Sequence, residues 1–303
     1  MTTALSPVAA RSTKPAQRGS RRLSRASRRA LLNLAGLLVA LFALFPVLWM
    51  ISTAFKPPTE IFSLTPHPIP LHPTLGNFRT VLSGTDIGGI PYWTFLRNSL
   101  LVTIVAVAAS SLLALLAAIA LARYSFRFRT TYLIMLLIVQ LLPQQALVIA
   151  LFIDFRKLNL LDTLVGLMAV YTAFALPVTI WMLRNFAAAV PKQLEEAAAI
   201  DGAGAWTRFW RILLPMVSPG LVSTSVFAFI FAYNEFVFAL SFIGTDTNNF
   251  TLPRYVQYFY GQNSTDWGAI MASSTLFTVP VLIFFFLIQR RLAAGLVAGA
   301  VKG

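Results

Sequence analysis

Six apolar stretches, each close to twenty residues long, constrain this chain more than any other feature. They run at roughly 31–52, 99–121, 132–153, 163–183, 216–243 and 269–288. About 20 mostly apolar residues in a helix cross the hydrocarbon of a bilayer. Backbone inside lipid must satisfy its own hydrogen bonds, so the stretches are read as helices. The expected fold class is an all-α membrane protein with six transmembrane helices. Composition agrees, with 57% hydrophobic and only 11% charged residues, where soluble domains carry about 25% charged residues. Pro46, Pro143, Pro177 and Pro280 fall inside the stretches. They predict kinks, which membrane helices tolerate when neighbouring groups satisfy the freed carbonyls.

Lysine and arginine near the ends of spans set orientation. With the N-terminus inside, eighteen of the 24 Lys+Arg fall on the cytoplasmic side and six outside. The inner set includes Arg123, Arg127 and Arg129 in one loop and Arg184, Lys192, Arg208 and Arg211 in another; the outer set includes Lys56, Arg156, Lys157 and Arg254. Both termini are therefore expected in the cytoplasm. Residues 1–30 form a basic segment rich in Arg, Ser, Ala and Pro without apolar periodicity, read as a disordered tail that sets topology and touches anionic lipid. It lacks the aromatic or fold signals of nucleic-acid binding. The first apolar stretch is too long for a signal-peptide core, so no cleaved leader is expected. The outer loop at about 53–98 carries Pro66, Pro68, Pro70 and Pro73 and should be extended and partly rigid.

Cysteine is absent, which excludes disulfides, thiol catalysis and Cys-based metal sites. Two histidines, His67 and His72, leave little for a metal centre, and none is expected. No G-x-x-x-x-G-K-[ST] exists to hold a nucleotide.

The ten acids are sparse, yet Glu195, Glu196 and Asp201 fall within seven positions between the fourth and fifth stretches. Pro191 suits the opening of a helix. Glu195 and Glu196 then lie in early turns, where the helix dipole favours acids. Ala197, Ala198 and Ala199 are strong helix formers with little bulk. Asp201-Gly202 signals a turn. A second short helix should follow, with Trp206, Phe209, Trp210 and Leu213 on one face at i, i+3, i+4, i+7, ending before Pro215.

Glu196-Ala197-Ala198, then Gly202, then Ile212, Leu214 and Pro215 resemble the "EAA…G…I-LP" loop of importer-type ABC permeases, and Asp201-Gly202-Ala203 resembles its "DGA" form in sugar permeases. "NEF" at Asn234–Phe236, "DWGAIMASS" at Asp266–Ser274, "QRRLAAG" at Gln289–Gly295 and the terminal "GAVKG" are similar to the carbohydrate-uptake group that includes maltose-permease G-type subunits. The likeness covers about 31–303, as one six-helix permease domain. It implies the importer-type ABC permease fold in a bacterial plasma membrane. It implies a coupling loop at about 187–215, with Glu195, Glu196, Ala197, Ala198, Asp201, Gly202, Ala203, Ile212 and Pro215 at the contact with a cytoplasmic ATPase. It also implies partners: two ATPase copies that bind ATP and Mg, a second permease and an extracytoplasmic solute-binding protein. This chain itself is then neither catalytic nor a cofactor binder.

Polar residues inside the spans are candidates for the solute path. Glu235 is the one acid in a spanning stretch and adjoins Tyr233 and Asn234. Carboxylate, amide and aromatic face suit a sugar, but an interhelical bond is the alternative role. Gln140, Gln144 and Gln145 flank Pro143 and either line a cavity or tie helices together. Two other classes stand against the importer. A secondary transporter would show inverted repeats and coupling-ion residues, and a membrane enzyme would gather its scattered acids and histidines into one cluster.

Overall fold

The computed structural model describes residues 25–261 and 265–300, so the greater part of the expected tail lies outside the described residues. Two units divide at Leu48 and Trp49. The first consists of most of α1 (Arg25–Ala54), whose side chains from Leu31 to Leu48 are exposed. The helix continues through Pro46.

The second unit holds the rest. Outer-loop helices α2 (Pro58–Ile61) and α3 (Gly76–Ser83) lead into the long α4 (Tyr92–Arg123). After α4 come α5 (Arg129–Leu141), α6 (Gln144–Lys157) and α7 (Leu164–Ala189). Next are α8 (Lys192–Ile200), α9 (Ala205–Arg208), a π turn at Phe209–Leu213 and α10 (Leu214–Asn234). Short helices α11 (Val237–Phe242) and α12 (Leu252–Tyr258) precede α13 (Trp267–Ala300). Among the described residues, five helices are long and apolar enough to cross a membrane, or six if the bent pair α5 and α6 forms one span.

Helix α4 packs most extensively on α7. Ala106, Ser110, Ala114, Ala118 and Ala122 recur every four residues along α4, and all are buried. Small residues at this spacing let two backbones approach closely in lipid. Ala114, Ala118 and Ala122 share a core with Ile180, Leu183 and Ala187 of α7 and with Leu213 and Val217. A second, larger core joins Phe95, Tyr233, Phe238, Phe242 and Tyr255.

Two expected spans differ from the observed helices. The third is broken, with α5 and α6 meeting at 97°. Leu142 is extended (φ −71°, ψ 126°) because the ring of Pro143 disfavours a helical residue before it. The fifth does not run to residue 243. Its helix stops at Asn234, Glu235 is extended, and α11 starts anew. The helix also begins earlier than expected, because Ala205–Asn234 is one run of 30 residues. In the π turn the Leu214 amide donates to Phe209 O, and Pro215 follows in the first turn of α10, where a missing N–H costs little. The short aromatic segment is thus the start of a span rather than a separate helix. Pro219 continues α10: the carbonyl of Pro215, which its absent amide would have bonded, accepts from Ser218 Oγ at 2.8 Å instead.

Loops on the far side from α8 are tied by polar side chains. Asn98 donates to the carbonyls of Asn248 and Phe250, at 2.6 and 3.0 Å. Asp162 accepts from the amides of Gly244 and Thr245 at 2.8 and 3.0 Å and from the Thr245 hydroxyl. Burial pushes the Asp162 carboxyl up, but donors from Thr245, Asp246 and Gly244 outweigh it and hold the group below the ordinary carboxylate range. Lys56 donates to the His67 carbonyl and lies 4.7 Å over the Trp49 ring, clasping the proline-rich loop.

Candidate functional site

Helix α8 carries the acid cluster. Pro191 is its N-cap and Glu195 lies in its first turn, where a negative side chain faces the positive end of the helix dipole. The helix ends in a Schellman motif: the Gly202 amide donates to Ala199 O at 3.1 Å and the Ala203 amide to Ala198 O at 2.8 Å. Gly202 takes φ +83°, and a Cβ there would meet nothing within 4 Å. Backbone conformation, not space inside this chain, is what demands glycine at this position. Ala197 is exposed, Ala198 is half-buried and Ile200 is 87% exposed, so α8 presents a thin, open surface.

The acids play different parts. Glu196 and Asp201 are exposed. Glu195 is not: its Oε1 lies 2.6 Å from Arg123 Nε, with the two side chains 21% and 10% exposed. Of the two glutamates expected at the contact, Glu196 is open to solvent, whereas Glu195 is paired within this chain. Beside them a cleft of about 400 Å³ opens among Arg123, Lys192, Glu195, Glu196, Arg208 and Phe209. Ile212 is half-buried and Pro215 exposed, at the foot of α10. Leu213 is buried, whereas Trp206 and Trp210 are 74% and 49% exposed. Their rings cluster with Phe209, Trp206 lying 5.5 Å from Trp210 and 6.1 Å from Phe209. The expected apolar face thus forms an aromatic cluster that this chain covers only in part.

The membrane candidates separate likewise. Glu235 is buried, and its carboxylate accepts from the amides of Phe238 (3.0 Å) and Ala239 (3.2 Å). It caps α11, which satisfies an acid that lipid would otherwise penalise. Tyr233 is 1% exposed, stacks 4.7 Å from Phe277 and donates to Phe277 O. Asn234 is exposed and its amide returns to Ile230 O. Gln140 and Gln144, on either side of the 97° bend, line a cavity of about 210 Å³ with Phe174, Thr179, Phe227 and Phe231. Gln145 is exposed and does not line that cavity.

Together these features define a polytopic helical protein with one exposed, acid-bearing helix–turn between two long spans. The chain belongs to the family described as binding-protein-dependent transport system inner membrane component, whose model matches residues 110–297. It is thus a multi-pass inner-membrane protein, a permease component and not a catalytic subunit, and the secondary-transporter reading falls away. The chain is 40% identical to the diacetylchitobiose uptake system permease of Streptomyces coelicolor, over 89% of this chain and 96% of that one. It is 37% identical to the trehalose/maltose transport system permease of Thermococcus litoralis, over 91% and 98%. In fold it matches, with TM-score 0.73 and 21% identity over 88% of this chain and 98% of the other, a chain from the crystal structure of a bacterial ABC transporter involved in importing the acidic polysaccharide alginate.

Proposed function

We propose that this permease imports a carbohydrate, and that Gln140, Gln144 and Asn234 line part of its route. The observation that carries the route is the cavity at the α5–α6 bend, where two amides meet three phenylalanine rings. Sugar hydroxyls need fixed donors and acceptors, and sugar C–H faces suit aromatic rings. At about 210 Å³ the cavity is below the usual range of about 300–1,000 Å³ for drug-sized ligands, so it suits one ring-sized part of a solute. The carbohydrate class is also supported by relatives named for diacetylchitobiose and trehalose/maltose. Tyr233 and Glu235 act behind this surface by holding the α10–α11 break. Uptake assays across mono-, di- and oligosaccharides test the proposal. Gln140→Ala and Gln144→Ala should each slow uptake by about 2–10-fold, the worth of one hydrogen bond. Unchanged rates for every sugar would remove the glutamines from the route.

The power comes from elsewhere. In this reading Glu196, Ala197, Ala198, Asp201 and the Gly202–Ala203 turn dock on a cytoplasmic ATPase, with Ile212 and Pro215 anchoring the loop to α10. Two ATPase copies hold ATP and Mg, a second permease completes the pathway, and an extracytoplasmic binding protein delivers the solute. Both termini and α8 then face the cytoplasm, as the distribution of Lys and Arg favours. Single cysteines at Gln193 and Thr65, both at exposed positions, should react with an impermeant maleimide from opposite sides. Labelling of position 193 from outside intact cells would overturn this orientation.

A further inference from the structure

The ion pair under α8 joins three helix ends. Arg123 is the last residue of α4. Its Nη2 donates to the carbonyl of Val190 at 3.0 Å, and Val190 is the C-cap of α7. Its Nε meets Glu195 in the first turn of α8 at 2.6 Å. Every sign matches the helix dipoles: a cation at the carbonyl ends of α4 and α7, an anion at the amide end of α8. The side chains are largely shielded from water, so salt screens the pair less than it would a surface pair.

We infer that Arg123 is a positioning residue for transport, a strut that passes displacement of α8 to the α4–α7 pair. This rests on α8 being the element that docks the ATPase. Apolar contacts allow neighbouring helices to slide, whereas a guanidinium that donates to the Val190 carbonyl while paired at 2.6 Å with the Glu195 carboxylate sets the distance between all three helix ends. Behind Arg123 runs the small-residue stripe Ala106–Ala122, which holds α4 against α7. From α4 the link continues to α10 through Ser111 Oγ and Ser225 Oγ, 3.0 Å apart. A push on α8 therefore reaches three spanning helices through one side chain. Glu196, one residue on, is exposed and remains available to the partner.

The test uses the whole transporter in proteoliposomes, comparing the parent chain with Arg123→Glu, Glu195→Arg, their double variant and Arg123→Lys. Measured are co-purification of the ATPase, ATP hydrolysis with and without solute-loaded binding protein, and solute taken up per ATP hydrolysed. Arg123→Glu should keep the ATPase bound but lose at least about tenfold in uptake per ATP, and the double variant should recover much of that loss. A merely structural role would lower abundance without altering the ratio and would gain nothing from the charge swap. Should Arg123→Glu not accumulate, Arg123→Lys decides: it keeps the charge but cannot hold both partners, so uptake per ATP should fall several-fold. An unchanged ratio, or a double variant without recovery, overturns the strut. Ala198→Trp runs in parallel. If it keeps both ATPase binding and uptake, docking through α8 falls and the strut with it. If it loses them while the Arg123 variants stay normal, the strut alone is wrong.

Discussion

Gly202→Val abolishes solute uptake while the chain still inserts in the membrane: this is the expected result at the turn after α8. Gly202 sits at φ +83°, a region costing an L-residue roughly 1–2 kcal/mol and a β-branched one more. Two Schellman bonds depend on that conformation. Nothing else in the chain lies within 4 Å of the added Cβ, so the strain is relieved locally, by opening the turn and reorienting α8. Each 1.4 kcal/mol is about a tenfold change in the population of the native turn, enough to disable docking but too little to unfold the surrounding helices. Gly202→Asn supplies the control. Asparagine has nearly the bulk of valine but enters the left-handed region readily. Asn should keep most of the uptake and of the ATPase stimulation by solute-loaded binding protein, where Val loses both. Equal loss in the two would mean that the partner rejects bulk and that backbone conformation is secondary. Normal transport in the Val variant would dissociate this turn from coupling.

The turn was legible in the sequence because its determinants are local. Alanines make the helix, Asp-Gly ends it, and the spacing to Ile212 and Pro215 carries the family resemblance. Positions of spans were legible for the same reason, since twenty apolar residues announce themselves. What escaped depends on partners far along the chain. Arg123 reads as one more cytoplasmic positive charge until folding brings it to Glu195, 72 positions on. Glu235 reads as either a solute ligand or an interhelical bond, because a lone acid in an apolar run needs a partner. Its partners are the amides of its own next turn, and that capping is what divides the 216–243 stretch. Hydropathy cannot see this break, because residues on both sides are equally apolar. Pro143 was visible and the kink it predicts is present, but the size of that kink was not legible. Pro177 and Pro280 sit inside continuous helices, whereas Leu142-Pro143 turns the chain by 97°, and local sequence does not separate these outcomes. The stripe Ala106-Ser110-Ala114-Ala118-Ala122 was written plainly at a spacing of four, masked by the larger apolar residues between.

Close packing of α10 on α7 supplies the other large effect. Gly220 is buried, and a Cβ added to it would stand 2.3 Å from Phe186 Cγ and 2.6 Å from Phe186 Cβ. Those atoms lie at the root of the phenylalanine side chain, so rotating the ring does not remove the clash. Either α10 or α7 must move. Overpacking of this kind costs about 1–3 kcal/mol for a single methyl in a well-filled core, and more for a branched side chain. Helices in lipid gain their association from packing more than from expulsion of water, so a separation of α7 and α10 has little to offset it. Gly220→Ala should lower the thermal midpoint in detergent by several degrees, and Gly220→Val should prevent stable accumulation in the membrane. The Phe186→Ala background discriminates clash from glycine flexibility. Phe186→Ala alone leaves a void and destabilises, yet it removes the atoms that the new methyl would strike. Adding Gly220→Ala to it should cost much less than in the parent, a non-additivity expected of residues in contact. If Gly220→Ala leaves the midpoint unchanged in the parent, the helices are not held this closely. If it costs the same in both backgrounds, its effect comes from the α10 backbone beside Pro219 and not from the contact with α7.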